Sequence, residues 1–376
     1  MPQMTDYITW RGDLTFMQQS FGEIDALILT QLSYLHFADV LADGERRTLR
    51  ELTPLIEAQP REPGKDSVIE DRHALLLRAA NCVRFGDLLI SDAEDVFDME
   101  RDIQFAAMLV SLPNGVRVVA YRGTDSTLVG WREDLNMSFE CPVPAQAEAV
   151  RYIERVAAAY NGRIQLCGHS KGGNLAVYSA ACCLDTTRER IDAVYSFDGP
   201  GLDGSTLASP GYRAALPKVR HFVPQTSVIG MLMGVPERYT VVHSTTYSLK
   251  QHNTFTWELD GPRFVALPRV DAASRFIKAT LDDWLKDSTR ETRKVFVETL
   301  FDVLEASNAR TLKEMRASWS STAAALWSAT STLDPSTRKV IVTVASSLFA
   351  SGMETAKDFL TRAGDAGKPL PPGKEH

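Results

Sequence analysis

The chain has 376 residues, 44% of them hydrophobic and 24% charged, a balance that suits a globular protein of one large domain with additions, or of two domains. A net charge of −7, a pI near 5.6 and the lack of any Lys/Arg-rich block argue against a nucleic-acid partner. No apolar run reaches the roughly 18 residues of a membrane span. The first residues, Met1-Pro-Gln-Met-Thr-Asp-Tyr7, have no basic region followed by an apolar core, so no signal peptide is expected and the cytoplasm is the expected compartment. The five cysteines, Cys82, Cys141, Cys167, Cys182 and Cys183, have no metal-like spacing. They read as small buried hydrophobes in a reducing compartment.

In chain order, Trp10-Arg11-Gly12-Asp13 reads as a turn. Phe21, Ile24, Leu27, Ile28, Leu32 and Leu35 then share one face of a helix expected to cover an edge of the core. Residues 41–80 are charged and broken by Pro54, Pro60, Pro63 and Gly64, and predict an exposed excursion with one short helix around Val68–Ala79. His36 and His73 read as packing or surface residues. Strands are expected over Phe85–Ile90 and Gln104–Leu112. The turn Pro113-Asn114-Gly115 closes the second, and the β-branched run Val116–Tyr121 returns. Pro142-Val-Pro144 breaks the chain. An amphipathic helix over Ala145–Tyr160 follows, with Asn161-Gly162 as a left-handed cap.

The stretch after that cap carries the chemistry. Ile164–Cys167 suits a buried strand and Asn174–Ala181 is rich in helix formers. Between them Gly168-His169-Ser170-Lys171-Gly172 fits G-x-S-x-G. A strand turning straight into a helix strains the backbone at the serine, exposes its hydroxyl, and aims the unpaired first amides of the helix at it. The order strand, crossover helix, strand, helix predicts a mostly parallel sheet flanked by helices, the α/β-hydrolase fold. Upstream, Arg122-Gly123-Thr124-Asp125 follows a core strand, so the Thr124 amide can face Ser170 as an oxyanion donor.

Further strands are expected at Ala193–Phe197, Val219–Val223 and Tyr239–Ser244. In this fold the chain order is serine, acid, histidine. His221 begins a strand, His243 lies inside one and His376 ends the chain, whereas His252 sits in a loop, which makes it the candidate base. His169, beside the nucleophile, is expected to pack against the elbow. Asp198 ends a strand at the carboxyl edge of the sheet and is the candidate acid. Asp in Asp-Gly-Pro-Gly also suits a plain turn, and Asp203 and Asp260 are rivals.

Tyr121-Arg-Gly-Thr124 with Trp131 and Asp134 resembles the oxyanion-and-lid segment of class 3 (fungal-type) lipases. Gly168-His-Ser-Lys-Gly-Gly173 resembles their elbow. Together with Trp10-Arg-Gly-Asp13, Trp131–Phe139, Asn174, Phe197-Asp-Gly-Pro-Gly201, Val223-Pro-Gln225 and His252–Trp257, these motifs are similar to a bacterial family of lipase-like α/β-hydrolases, across roughly residues 5–265. The resemblance implies Ser170 as nucleophile, His252 as base, oxyanion amides from Thr124 and Lys171, and a short lid near Thr127–Asp134. Class 3 lipases place the acid in a loop corresponding to Pro224–Gly230. No carboxylate stands there, which leaves Asp198. Lys171 next to the nucleophile also departs from the lipase pattern, as does the charged Arg132-Glu-Asp134, where an interfacial lid is more often apolar.

From Asp271 the pattern turns helical. The hydrolase domain is expected over 1–265, a helical region over 266–363 and a solvated tail over 364–376. The helical stripes read as packing surfaces rather than as a membrane contact. The expected activity is that of a serine hydrolase on an acyl ester or thioester, lipids included, by a mechanism that needs no metal or cofactor. Acyl transfer to another alcohol fits equally. The rival from another class is a binding scaffold that kept the fold and lost turnover.

Overall fold

A strand that is apolar on successive residues has to be covered on both faces. Arg117–Tyr121 (β4) and Ile164–His169 (β5) are of this kind, and they pair in parallel at the middle of the sheet. A computed structural model of the chain describes residues 2–60, 67–98, 103–124, 141–227, 229–231, 238–246, 248–272 and scattered positions up to 340. The expected lid at Thr127–Asp134, most of the helical region and the tail 364–376 lie outside the described residues.

The remaining strands are Arg46–Thr48 (β1), Leu89–Asp98 (β2), Ile103–Ser111 (β3), Ile191–Phe197 (β6), Val219–Pro224 (β7), Thr240–Val242 (β8), Leu259–Asp260 (β9), Arg263–Phe264 (β10) and Ala266–Leu267 (β11). Among the described residues the sheet has nine strands in the order β1-β2-β3-β4-β5-β6-β7-β8-β11. The run β4 to β8 is parallel, and β1, β2, β3 and β11 join antiparallel. With helices on both sides, this is the α/β-hydrolase architecture. The helices are Met4–Arg11 (α1), Glu23–Leu32 (α2), Leu49–Glu57 (α3), Ser67–Ala80 (α4), Pro144–Ala159 (α5) and Lys171–Cys182 (α6).

Side-chain alternation sorts the core into two layers. Val118, Ala120, Cys167, Tyr195 and Phe197 point to the side of α2 and α4. Val119, Tyr121, Leu166 and Val194 point to α5 and α6, where they meet Ala149, Tyr152, Ile153, Leu175 and Ala176. Among the described residues no helix is long and apolar enough to cross a membrane.

Two segments differ from the sequence expectation. Residues 41–80 hold two helices rather than one. Thr48 and Glu51 form a reciprocal capping box that starts α3, and Pro54 sits on its exposed side. The strand expected at Phe85–Ile90 begins only at Leu89 and runs on to Asp98. Gly86 and Leu88 instead spend their carbonyls on the first amides of α3, so their backbone cannot extend a ladder. The cysteines also differ from their expected burial. Cys167 and Cys183 are buried, Cys82 is intermediate, and Cys141 and Cys182 are exposed.

The turn after α1 is tied down by one buried cation. Arg84 donates to both oxygens of Asp25 at 2.6 and 2.7 Å and to the carbonyls of Leu14, Thr15, Gln19 and Ser20, with Phe16 against its guanidinium. Its side chain and that of Asp25 are 0% and 1% exposed. Removing one partner strands the other charge without water. Arg84→Met is therefore expected to destabilise the protein by about 3–5 kcal/mol, read as a lowered denaturant midpoint. A loss below about 1 kcal/mol would show the pair to be worth no more than a surface bridge.

Candidate active site

Ser170 connects β5 directly to α6 and takes φ 57° and ψ −131°, a conformation that L-residues rarely adopt. The bend is possible because of what its glycines lack. A Cβ on Gly168 would lie 2.0 Å from the Gly172 carbonyl oxygen, and one on Gly172 would lie 2.3 Å from the Tyr121 carbonyl oxygen. The first turn of α6 thus presses against both its own strand and the end of β4. The Ser170 amide donates to the Phe197 carbonyl at 3.0 Å, which places the elbow beside the end of β6.

Asp198 follows Phe197, also at positive φ (47°), with its amide on the Phe222 carbonyl at 2.7 Å. Its carboxylate is 1% exposed and is bonded from outside its own loop. His252 Nδ1 donates to Oδ2 at 2.7 Å, while Ser227 Oγ and the Gly230 amide donate to Oδ1 at 2.5 and 3.1 Å. With its proton on Nδ1, His252 carries its basic lone pair on Nε2. The imidazole of His252 lies against that of His169, ring centroids 4.4 Å apart, one residue from Ser170. The fold therefore gathers Ser170, Asp198 and His252 at one corner of the sheet's carboxyl edge.

The rival acids are placed elsewhere. Asp203 caps the helix Gly204–Ala208, accepting from the amides of Ser205 and Thr206 at 2.8 and 3.2 Å. Burial opposes its ionisation, but bonds from Cys141, Ser205 and Thr206 outweigh this and bring it to about 2. Asp260 is exposed on the β9–β10 hairpin. His243 pairs with Glu258 at 2.6 Å.

The loop that holds an acid in class 3 lipases has a different use here. Its Ser227 and Gly230 bind the carboxylate that comes from Asp198. Ser227 carried no motif, and its only sequence signal was its place in that loop. The base loop is stapled by side-chain amides. Gln251 accepts from the Thr226 amide at 2.7 Å and takes the Trp257 indole on its carbonyl at 2.7 Å, while Gln225 bonds both backbone groups of Ser244 at 2.8 and 2.9 Å.

On the oxyanion side, Gly123 packs on the elbow. A Cβ there would lie 2.4 Å from the His169 carbonyl oxygen and 3.2 Å from Ser170 Cβ. Thr124 is the next residue and is partly exposed. Arg122 anchors this loop with two bonds to Asp95, at 2.5 and 2.7 Å, and His36 reaches the same carboxylate at 3.1 Å. Lys171 opens α6, so its amide lies in the first turn of that helix, beside Ser170. Its ammonium is buried and donates to the Gln104 carbonyl in β3 at 2.8 Å, spanning the end of β4 that leads into Gly123 and Thr124.

A family model described as Mbeg1-like matches residues 79–302, more than half of the chain, and this stretch contains Thr124, Ser170, Lys171, Asp198 and His252. Among solved structures, the chain is similar to one titled "Crystal structure of M37 lipase", at 13% identity and a TM-score of 0.36, over 56% of this chain and 70% of that one. No curated protein matches the chain.

Two further histidines lie inside this corner. Burial drives His169 well below the ordinary histidine value of 6.5, helped by the charges of His252 and Arg72. Burial likewise brings His221 down to about 4, against the opposing pull of Asp198. Both are neutral when folded and bind protons more readily when unfolded, so their contribution is full above 6.5 and is lost as pH falls toward the folded values. The melting temperature is expected to fall between about pH 7 and about pH 4.5, and to fall less in His221→Leu. An equal fall in the two proteins would remove His221 as a source of the acid sensitivity.

Proposed function

We propose that this chain, which belongs to the Mbeg1-like family, is a lipase-like serine hydrolase that cleaves an acyl ester or thioester. The observation that carries the reading is a serine in a strained strand-to-helix bend beside a 2.7 Å His252–Asp198 pair. This combination has the parts that nucleophilic acyl chemistry requires.

In the proposed mechanism His252 Nε2 takes the proton from Ser170 Oγ as the oxygen attacks the substrate carbonyl. Asp198, held by Ser227 and Gly230, keeps the proton on Nδ1 and stabilises the imidazolium. The amides of Thr124 and Lys171 face the oxygen that gains charge. The imidazolium then hands its proton to the leaving alcohol or thiol, and the acyl group stays on Ser170. Water, deprotonated by His252, releases the acid. Free thiols, two of them exposed, fit a reducing, cytoplasmic setting.

A fluorophosphonate probe is expected to label the wild type and not Ser170→Ala. p-Nitrophenyl ester turnover is expected to fall by about 10³–10⁴-fold in Asp198→Asn, where the proton on Nδ1 is no longer enforced. Labelling that survives in Ser170→Ala would refute the nucleophile. A wild type that neither takes the probe nor turns over esters would instead favour a binding scaffold.

A further inference from the structure

His169 has three contacts that the proposed chemistry does not use. Its Nε2 lies 2.8 Å from the backbone carbonyl oxygen of His252, its Nδ1 lies 3.0 Å from the Tyr34 hydroxyl, and its ring lies against that of His252. A carbonyl oxygen can only accept, so Nε2 carries the proton and donates. Burial keeps the ring neutral, so Nδ1 is a lone pair and Tyr34 donates to it. The same hydroxyl lies 3.4 Å from the His169 carbonyl oxygen, the longer and weaker of its two options. Tyr34 and His169 are both buried, and the hydroxyl–imidazole bond joins two polar groups with little access to water.

The arrangement has a directional logic. If the His169 proton moved to Nδ1, its Nε2 lone pair would face the lone pairs of the His252 carbonyl. The His252 carbonyl, which can only accept, disfavours that state. With the hydroxyl on α2's trailing turn bound to Nδ1, the carbonyl therefore sets Nε2 as the nitrogen of His169 that bears hydrogen. That nitrogen in turn sets the backbone of the base. Asp198 grips the His252 side chain from one side, and His169 grips its main chain from the other.

We propose that His169, braced at Nδ1 by Tyr34, is a positioning residue that holds the His252 backbone for proton transfer. This rests on the hydrolase reading above. The role is separate from that of Asp198, because it acts on the peptide group and not on the imidazole. It also accounts for a histidine buried next to the nucleophile and held neutral by that burial.

The test is a set of variants assayed for kcat, KM and fluorophosphonate labelling, with melting curves to report folding. His169→Phe keeps a ring against His252 and removes both nitrogens. It is expected to lower kcat on the order of 100-fold, the size of effect that a 1 Å misplacement of a reacting group produces, with KM within about twofold. His169→Gln restores a donor and is expected to recover to within about fivefold of wild type. Tyr34→Phe alone is expected to cost about tenfold in kcat. In the Tyr34→Phe/His169→Phe double variant the tyrosine change is expected to cost nothing more, since there is no Nδ1 left to brace.

Additive costs in the double variant, or a kcat for His169→Phe equal to wild type, would overturn the proposal. Should His169→Phe fail to fold, Tyr34→Phe and His169→Gln decide the matter. A selective fall in kcat for Tyr34→Phe, with His169→Gln near wild type, supports the positioning role, and no fall in Tyr34→Phe overturns it. A wild type that takes no probe at Ser170 defeats the hydrolase reading itself. A wild type that is labelled, with additive variants, defeats only the positioning role.

Discussion

A carboxylate with almost no exposed surface must be surrounded by donors, or it costs several kcal/mol to keep ionised. Asp198 meets this constraint by drawing on separate parts of the chain. Its own strand, β6, delivers it at positive φ; the loop after β7 supplies Ser227 and Gly230; the loop after β8 supplies His252. One group thus joins three of the segments that end at the carboxyl edge. The corner of the sheet holds its shape because the charge cannot be left alone there, and the same requirement brings the imidazole to the elbow.

The elbow depends on the opposite kind of constraint, an absence of atoms. Gly168, Gly172 and Gly123 leave space where carbonyl oxygens approach to 2.0, 2.3 and 2.4 Å of a missing Cβ, so strand, helix and the loop after β4 converge on Ser170. Polar tethers then fix each converging piece. Arg122 holds the loop to Asp95, Lys171 holds the helix to Gln104, and the side-chain amides of Gln225 and Gln251 close the base loop. In this member of the Mbeg1-like family the loop Pro224–Gly230 after β7 carries no carboxylate of its own and instead binds Asp198 through Ser227 and Gly230.

Much of this was legible in the residues. Ser170, Asp198 and His252 could be placed because strand ends, turn glycines and chain order are local or topological signals. The supports were harder to see. Ser227 and Gly230 matter only through a carboxylate some 30 residues upstream. Tyr34 reaches His169 across 135 residues from a turn that carries no motif of its own. The helix α3 did carry a signal, Thr48-Leu-Arg-Glu51, a capping box overlooked behind Pro54 and the surrounding charge. The strand β2 was hidden by its acids, which a buried strand would not tolerate. They are accommodated because Asp95 is paired with Arg122 and Glu94 with Arg151 and Arg155. Pattern reasoning saw elements that bury apolar faces and missed those whose charges find partners far away in sequence.

That acidic strand has a bearing on how copies of the molecule treat one another. On its outer side β1 pairs only with Leu89–Ser91, so Glu94–Asp98 reaches past its short neighbour. An uncovered ladder is where a strand from a second molecule adds and aggregation begins. Any identical strand laid along this one would bring Glu94, Asp95 and Asp98 opposite the same three carboxylates. The ion pairs that stabilise the acids within one molecule are already satisfied and have little to offer a neighbour. The charge along the later half of β2 thus also works against pairing of copies along the sheet.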